Sequence, residues 1–225
     1  SFWLGLSNLL SVVVLAAVYG AVLRVTDFNN YVVYLGLGFV IWRCIADAVG
    51  SAPTLFERNR SHLQNINLNP IFYTLDEWSF QIQSFVQSFV LVLIALSFFQ
   101  KNLFVNLLFI GWLPMVNLFL FLYWFPLVIC LLGARYRDLY QFIPVLLQLF
   151  FLVSPILYYK ERLSTLAWIA SFNPLYRLLS VLRDTMISGE VDWRESIILL
   201  LTNLIAILIS VKLLNKFRRN LPFLV

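Results

Sequence analysis

Arg43 and Asp47 stand four residues apart in an otherwise apolar run, and they are the first residues of this chain that invite a chemical reading. On one helix, positions i and i+4 share a face and can pair. Charges at such depth are costly in lipid and usually turn to a bundle interior or an aqueous cavity. A self-contained ion pair and the wall of a water-filled vestibule are both open. Gln83, Ser84, Gln87 and Ser88 form a polar stripe at helical spacing, which more often holds helices together than conducts a solute. Phe142, Phe150 and Phe151 share one run with Gln148. Aromatic faces beside an amide suit stacking and hydrogen bonding to sugars. Tyr158 and Tyr159, at the end of that run, fit the interfacial aromatic belt better.

Catalysis is poorly served. The only histidine, His62, sits in a polar connector, and the acids are scattered at the ends of apolar runs rather than gathered around a nucleophile or metal ligands. No GxxxxGK[ST] loop occurs, so the chain holds no ATPase site of that kind. Cys44 and Cys130 each lie in an apolar stretch with no partner motif, which points to neither a disulfide framework nor a metal site.

The elements that must position these residues are membrane spans. Hydrophobic residues make up 61% of the chain and charged residues 12%, against roughly a quarter charged in soluble domains. The net charge of +5 sits at the ends of apolar runs, where it fixes orientation in a bilayer rather than forming the clustered face that nucleic acid needs. A helix of about 20 apolar residues crosses the hydrocarbon layer, and six runs qualify: 2–23, 31–51, 79–99, 103–132, 141–159 and 196–214. Pro114 and Pro126 should kink the long fourth run or break it near an end. The fold expected is an all-α integral membrane protein forming a single domain over 1–225. Six crossings put both termini on one side, and Lys212, Lys216, Arg218 and Arg219 argue that this side is cytoplasmic. The chain opens without methionine and is already apolar at Phe2, so an upstream segment is expected.

Two linkers carry more than loop sequence. In the connector 53–78, Leu55, Phe56, Leu63 and Ile66 can line one side of a short helix while Glu57, Arg58, Arg60 and His62 face water or another protein. Such a helix is either a lever for a soluble partner or an ordinary interfacial connector. The loop 160–194 holds two short apolar pieces, one containing Trp168 and one containing Tyr176, separated by Asn173 and Pro174. Neither can span, so a helical hairpin dipping into the outer leaflet before the last span is expected.

Phe39–Arg43 (FVIWR), Gln64–Leu75 (QNINLNPIFYTL), Ala134–Leu139 (ARYRDL) followed by Ser154–Tyr158 (SPILY), and Asn173–Arg183 (NPLYRLLSVLR) together resemble the permease subunits of bacterial polysaccharide ABC exporters. The O-antigen type is nearest, with capsule and teichoic acid exporters as relatives. The resemblance implies a homodimer in the bacterial inner membrane, a channel between the two copies, and two separate nucleotide-binding subunits that hold ATP and magnesium. It implies a lipid-linked polysaccharide as cargo and membrane lipid, not nucleic acid, as surroundings. By the same analogy Leu55, Phe56, Glu57, Arg58, Arg60 and Leu63 form the coupling helix. Tyr19, Arg43, Phe142, Gln148, Phe150 and Phe151 line the channel, and Trp168, Asn173, Pro174 and Tyr176 belong to the re-entrant external hairpin. A permease of the same family for a drug, lipid or peptide is the nearest alternative. An ion-coupled carrier is more distant, because only Asp47 approaches a mid-membrane carboxylate.

Overall fold

The computed structural model describes residues 2–65, 69–160, 173–218 and 221, and every regular element among them is helical. Five helical stretches are long and apolar enough to cross a membrane. They include α1 (Phe2–Val22) and α2 (Phe28–Ser51), the latter begun by Asp27, whose side chain accepts from Asn30 N. α2 is the centre of the bundle. Tyr31, Leu35, Ile41 and Ile45 are wholly enclosed, because neighbours pack on every side of it.

The connector is not one helix. α2 runs through a 3-10 turn at Ala52–Thr54 into α3 (Leu55–Arg58), and α4 (Arg60–Asn65) follows a break at Asn59. It is also shorter than expected, since α5 (Ile71–Leu96) starts eight residues before position 79. At 26 residues, α5 is about 39 Å long, so its polar first turns can project beyond the apolar layer. Gly133 fixes how closely the connector approaches the rest. A Cβ at Gly133 would lie 2.5 Å from the carbonyl oxygen of Pro53 and 2.6 Å from its Cα. Because both atoms are backbone, Gly133→Ala must displace the connector. Denaturation in detergent is expected to show a loss of about 1–3 kcal/mol, the usual range for overpacking, and unchanged stability would show that the connector is not seated there.

The long fourth run is two helices, α6 (Leu103–Phe109) and α7 (Trp112–Arg135). Neither proline makes the break, contrary to expectation. The chain turns at Ile110 and Gly111, whose N–H groups both donate to Asn106 O, at 3.0 and 2.7 Å. Pro114 falls in the first turn of α7, where an N–H has no intrahelical partner to lose. Pro126 sits inside α7 without ending it.

The fifth run also departs from the expected 141–159. α8 (Leu139–Val153) stops after 15 residues, about 22 Å. Pro155 biases the preceding residue to extended backbone, and Ser154 has φ −78 and ψ 135. Non-helical backbone in such apolar surroundings needs partners, and α2 supplies them. Tyr34 Oη donates to Pro155 O at 2.9 Å and Tyr31 Oη to Leu157 O at 2.6 Å.

α9 (Pro174–Ser188) begins at Asn173, whose side chain accepts from Leu175 N at 3.0 Å. It ends at Gly189, in the left-handed region at φ 72. Gln100 and Asn106 donate to the carbonyls of Ile187 and Met186, at 2.9 and 2.8 Å, capping groups that the helix end leaves open. Trp168 and the first apolar piece of the expected hairpin lie outside the described residues. α10 (Trp193–Phe217), capped by Asp192, packs on α7. Asn117 Nδ2 donates to Ser196 O, Asn203 Nδ2 to Asn117 O, and Trp124 Nε1 to Asn203 Oδ1. Buried amides of this kind join helices where lipid offers no hydrophobic drive between them.

Candidate transport path and coupling surface

Arg43 and Asp47 do share a face of α2, with Arg43 Nη2 3.9 Å from Asp47 Oδ1, and about half of each side chain is exposed. A pair so open contributes little to stability. Its surroundings are more informative. Both residues line a cavity of about 490 Å³ bounded by α1, α2, the connector, α5 and Pro144 of α8. Glu77 organises the connector end of this cavity. Its carboxylate accepts from Ser51 Oγ at 3.1 Å and Gln81 Nε2 at 2.9 Å, and lies 3.5 Å from Arg58 Nη2. Higher up, Asn8 Nδ2 donates to Ser88 Oγ at 2.7 Å, joining α1 to α5. Ser84 and Ser88 of the polar stripe therefore face the cavity, while Gln83 points outward. The result is a polar recess with both signs of charge and several hydrogen-bonding groups within a largely apolar bundle. It can accept hydroxyl-bearing solutes, and its opposed charges favour no simple ion.

The connector presents two faces. Leu55, Phe56 and Leu63 are buried with Leu127, Cys130, Ala134 and Leu214 of α7 and α10, so their apolar side seals the bundle rather than meeting headgroups. Glu57, Arg58, Arg60 and His62 are exposed. Glu57 also reaches Tyr140, at the start of α8 before its apolar run. Burial first, then the hydrogen bond and charge of Glu57, push the Tyr140 phenol up to about 12. The connector thus touches α2, α5, α7 and α8 together.

The aromatic residues of α8 divide between two faces. Phe142, Gln148 and Phe150 are exposed along with Val145, Leu149 and Leu152, and nothing among the described residues covers them, but Gln148 and Phe150, two residues apart, lie on opposite sides of this broad surface. Phe151 turns inward, its ring centroid 5.8 Å from that of Trp42. Tyr19 is half-buried against the core. Only Pro144 brings α8 to the Arg43 cavity, so the six expected lining residues are not gathered around one space within a single chain.

At the opposite end, Asn173 is buried and donates to Ser154 Oγ at 2.9 Å, while Pro174 is exposed. Tyr176 is buried beside Arg183. Arg183, which falls inside the expected loop 160–194, is 1% exposed. Its Nη1 donates to Pro155 O at 3.0 Å, its Nε to Asp184 Oδ1 at 2.9 Å and its Nη2 to Tyr176 Oη at 3.4 Å. The guanidinium carbon lies 3.8 Å from the Tyr34 ring centroid. A planar fork with several donors can make all these contacts at once, where an ammonium cannot. The sequence held the signal: Leu175, Leu179, Leu182 and Met186 mark the buried face of α9, and Arg183 follows Leu179 by one helical turn.

A family model described as ABC-2 type transporter matches residues 1–187. Two proteins of Klebsiella pneumoniae, each an O-antigen export system permease protein RfbA, are similar to this chain at 22% and 20% identity over 219 residues. In both cases the similarity covers 96% of this chain and 83% of the relative.

Proposed function

The chain belongs to the ABC-2 type transporter family, and from that premise we propose that it is the membrane subunit of an ATP-driven exporter of lipid-linked polysaccharide, an O-antigen or related surface glycan. Two copies assemble in the bacterial inner membrane with two nucleotide-binding subunits, which hold ATP and magnesium. Both termini and the connector face the cytoplasm. The Klebsiella relatives, named for O-antigen export, support this class of cargo.

The observation that carries the reading is the polar cavity beside the connector. A hydroxylated chain cannot enter hydrocarbon unaided, since each unpaired polar group costs several kcal/mol there. Arg43, Asp47, Gln81 and Ser84 provide hydrogen-bonding partners at the point where the cargo leaves the cytoplasm. Beyond it the exposed surface of α8 faces the second copy and forms the channel wall, Phe142 standing between Gln148 and Phe150 on its two sides, with Tyr19 and Phe151 supporting that wall from behind. Glu57, Arg58 and Arg60 receive the nucleotide-binding subunit, and Leu55, Phe56 and Leu63 pass its motion into the bundle. Because α2 continues into the connector, the same motion reaches the far end, where Tyr34 and Arg183 hold α9. There α9, carrying Asn173, Pro174 and Tyr176, forms the described arm of a re-entrant hairpin at the exit.

Cysteine labelling tests the cavity's role. With the buried Cys44 and Cys130 replaced, Arg43→Cys and Asp47→Cys are expected to react with a membrane-impermeant thiol reagent in inverted vesicles, at rates that change when ATP is added. Complete protection in every nucleotide state would instead make the pair a sealed structural contact.

A further inference from the structure

At the end of the bundle opposite the connector, a second cavity of about 490 Å³ opens between the outer face of α9 and the start of α10. Its walls carry Lys160 and Arg177 against Asp184, Glu190, Asp192 and Glu195. Four of these six are engaged. Arg177 Nη2 lies 2.6 Å from Glu195 Oε2, Asp184 accepts from Arg183, and Asp192 Oδ1 accepts from Glu195 N at 3.1 Å. The side chains of Lys160 and Glu190 have no ion-pair or hydrogen-bond partner among the described residues. Thr185, 3% exposed, lines the same space, and its hydroxyl likewise has no hydrogen-bond partner among the described residues. The cavity therefore offers one open cation, one open anion and the free hydroxyl of an otherwise buried threonine.

What lies beneath it narrows the ligand. Partly exposed Glu195 heads a stripe of α10 at helical spacing, followed by Ile198, Thr202, Ile205 and Ile209, these four exposed. Trp193, 57% exposed in the first turn of α10, marks the headgroup level, where tryptophan collects. A molecule seated in the cavity thus has an apolar track running from it along the membrane. A metal ion or a free sugar would leave that track unused. An anionic headgroup would meet four carboxylates against two cations. A quaternary ammonium has no N–H to offer the open carboxylate, whereas a primary ammonium donates three.

The geometry points to a site for the headgroup of a zwitterionic phospholipid with a primary ammonium, its phosphate on Lys160, its ammonium on Glu190 and Asp192, and its acyl chains along the α10 stripe. The assignment rests on the chain being a membrane protein and is independent of the cargo proposed above. The test titrates the complete transporter, stripped of lipid in detergent, with phosphatidylethanolamine, phosphatidylcholine and phosphatidylglycerol, and counts bound lipid by native mass spectrometry. Phosphatidylethanolamine is expected to bind about tenfold more tightly than the other two, the worth of one charge-assisted hydrogen bond. Glu190→Gln should erase the preference over phosphatidylcholine, and Lys160→Gln should weaken both zwitterionic lipids together. Neither substitution removes a contact among the described residues, and Lys101→Gln, outside this cavity, serves as control. Equal retention of the three lipids, meaning annular lipid only, would overturn the assignment. So would a preference that survives both substitutions, or displacement of the lipid by a soluble glycan.

Discussion

Replacing Glu57, Arg58 and Arg60 together with alanine is expected to abolish export and to release the nucleotide-binding subunit while leaving the helix bundle folded. All three side chains are exposed. The one ion pair among them, Arg58 to Glu77 at 3.5 Å with Arg58 half exposed, is of a kind that contributes at most about 1 kcal/mol. Phe56→Ala gives the contrast. Its ring is 1% exposed, so removal should cost about 3–5 kcal/mol and lower the yield of folded protein. Co-purification of the ATPase subunit beside an export assay separates the two outcomes. Normal binding and normal export in the triple variant would remove the connector from the coupling role.

Arg183→Met is expected to destabilise the chain by about 2–3 kcal/mol, the scale of a hydrogen bond to a charged group lost together with a desolvated cation–π contact. The effect should be local in a particular way. Pro155 O would keep only the Tyr34 hydroxyl, and the polar attachment of α9 to the segment after α8 would be reduced to the hydrogen bond from Asn173 to Ser154. Hydrogen exchange should therefore rise at 154–159 and along 174–188 more than in α1 or α5. Arg183→Lys retains the charge but not the fork, and should recover only part of the stability. Parent-like exchange in both variants would show that Tyr31, Tyr34 and Asn173 hold this region without Arg183.

Apolar runs were enough to find the long helices, since the requirement to bury backbone groups in lipid leaves little choice of element. Their ends were less legible. Asp76 and Glu77 gave the start of α5 the look of a connector, yet Glu77 turns inward to Ser51, Gln81 and Arg58. Pro155 lay inside the expected run 141–159, and the partners for the carbonyls it frees come from Tyr31, Tyr34 and Arg183, distant in sequence. The pairing of Arg43 with Asp47 followed from spacing alone. That they share a cavity with Asn8, Gln81 and Ser84 required knowing which helices are neighbours. Phe150 and Phe151 differ by about 100° around α8, so which one meets the core depends on where Trp42 sits.

The account is tested most directly by ATP-driven movement of a lipid-linked glycan in proteoliposomes that hold this chain with its nucleotide-binding subunit. Glycan added to the connector side should become protected from an external glycosidase only when ATP is hydrolysed, and the Glu57, Arg58 and Arg60 triple alanine variant should leave it exposed. Steady ATP hydrolysis with no protection of the glycan, or protection driven by an ion gradient without ATP, would contradict it.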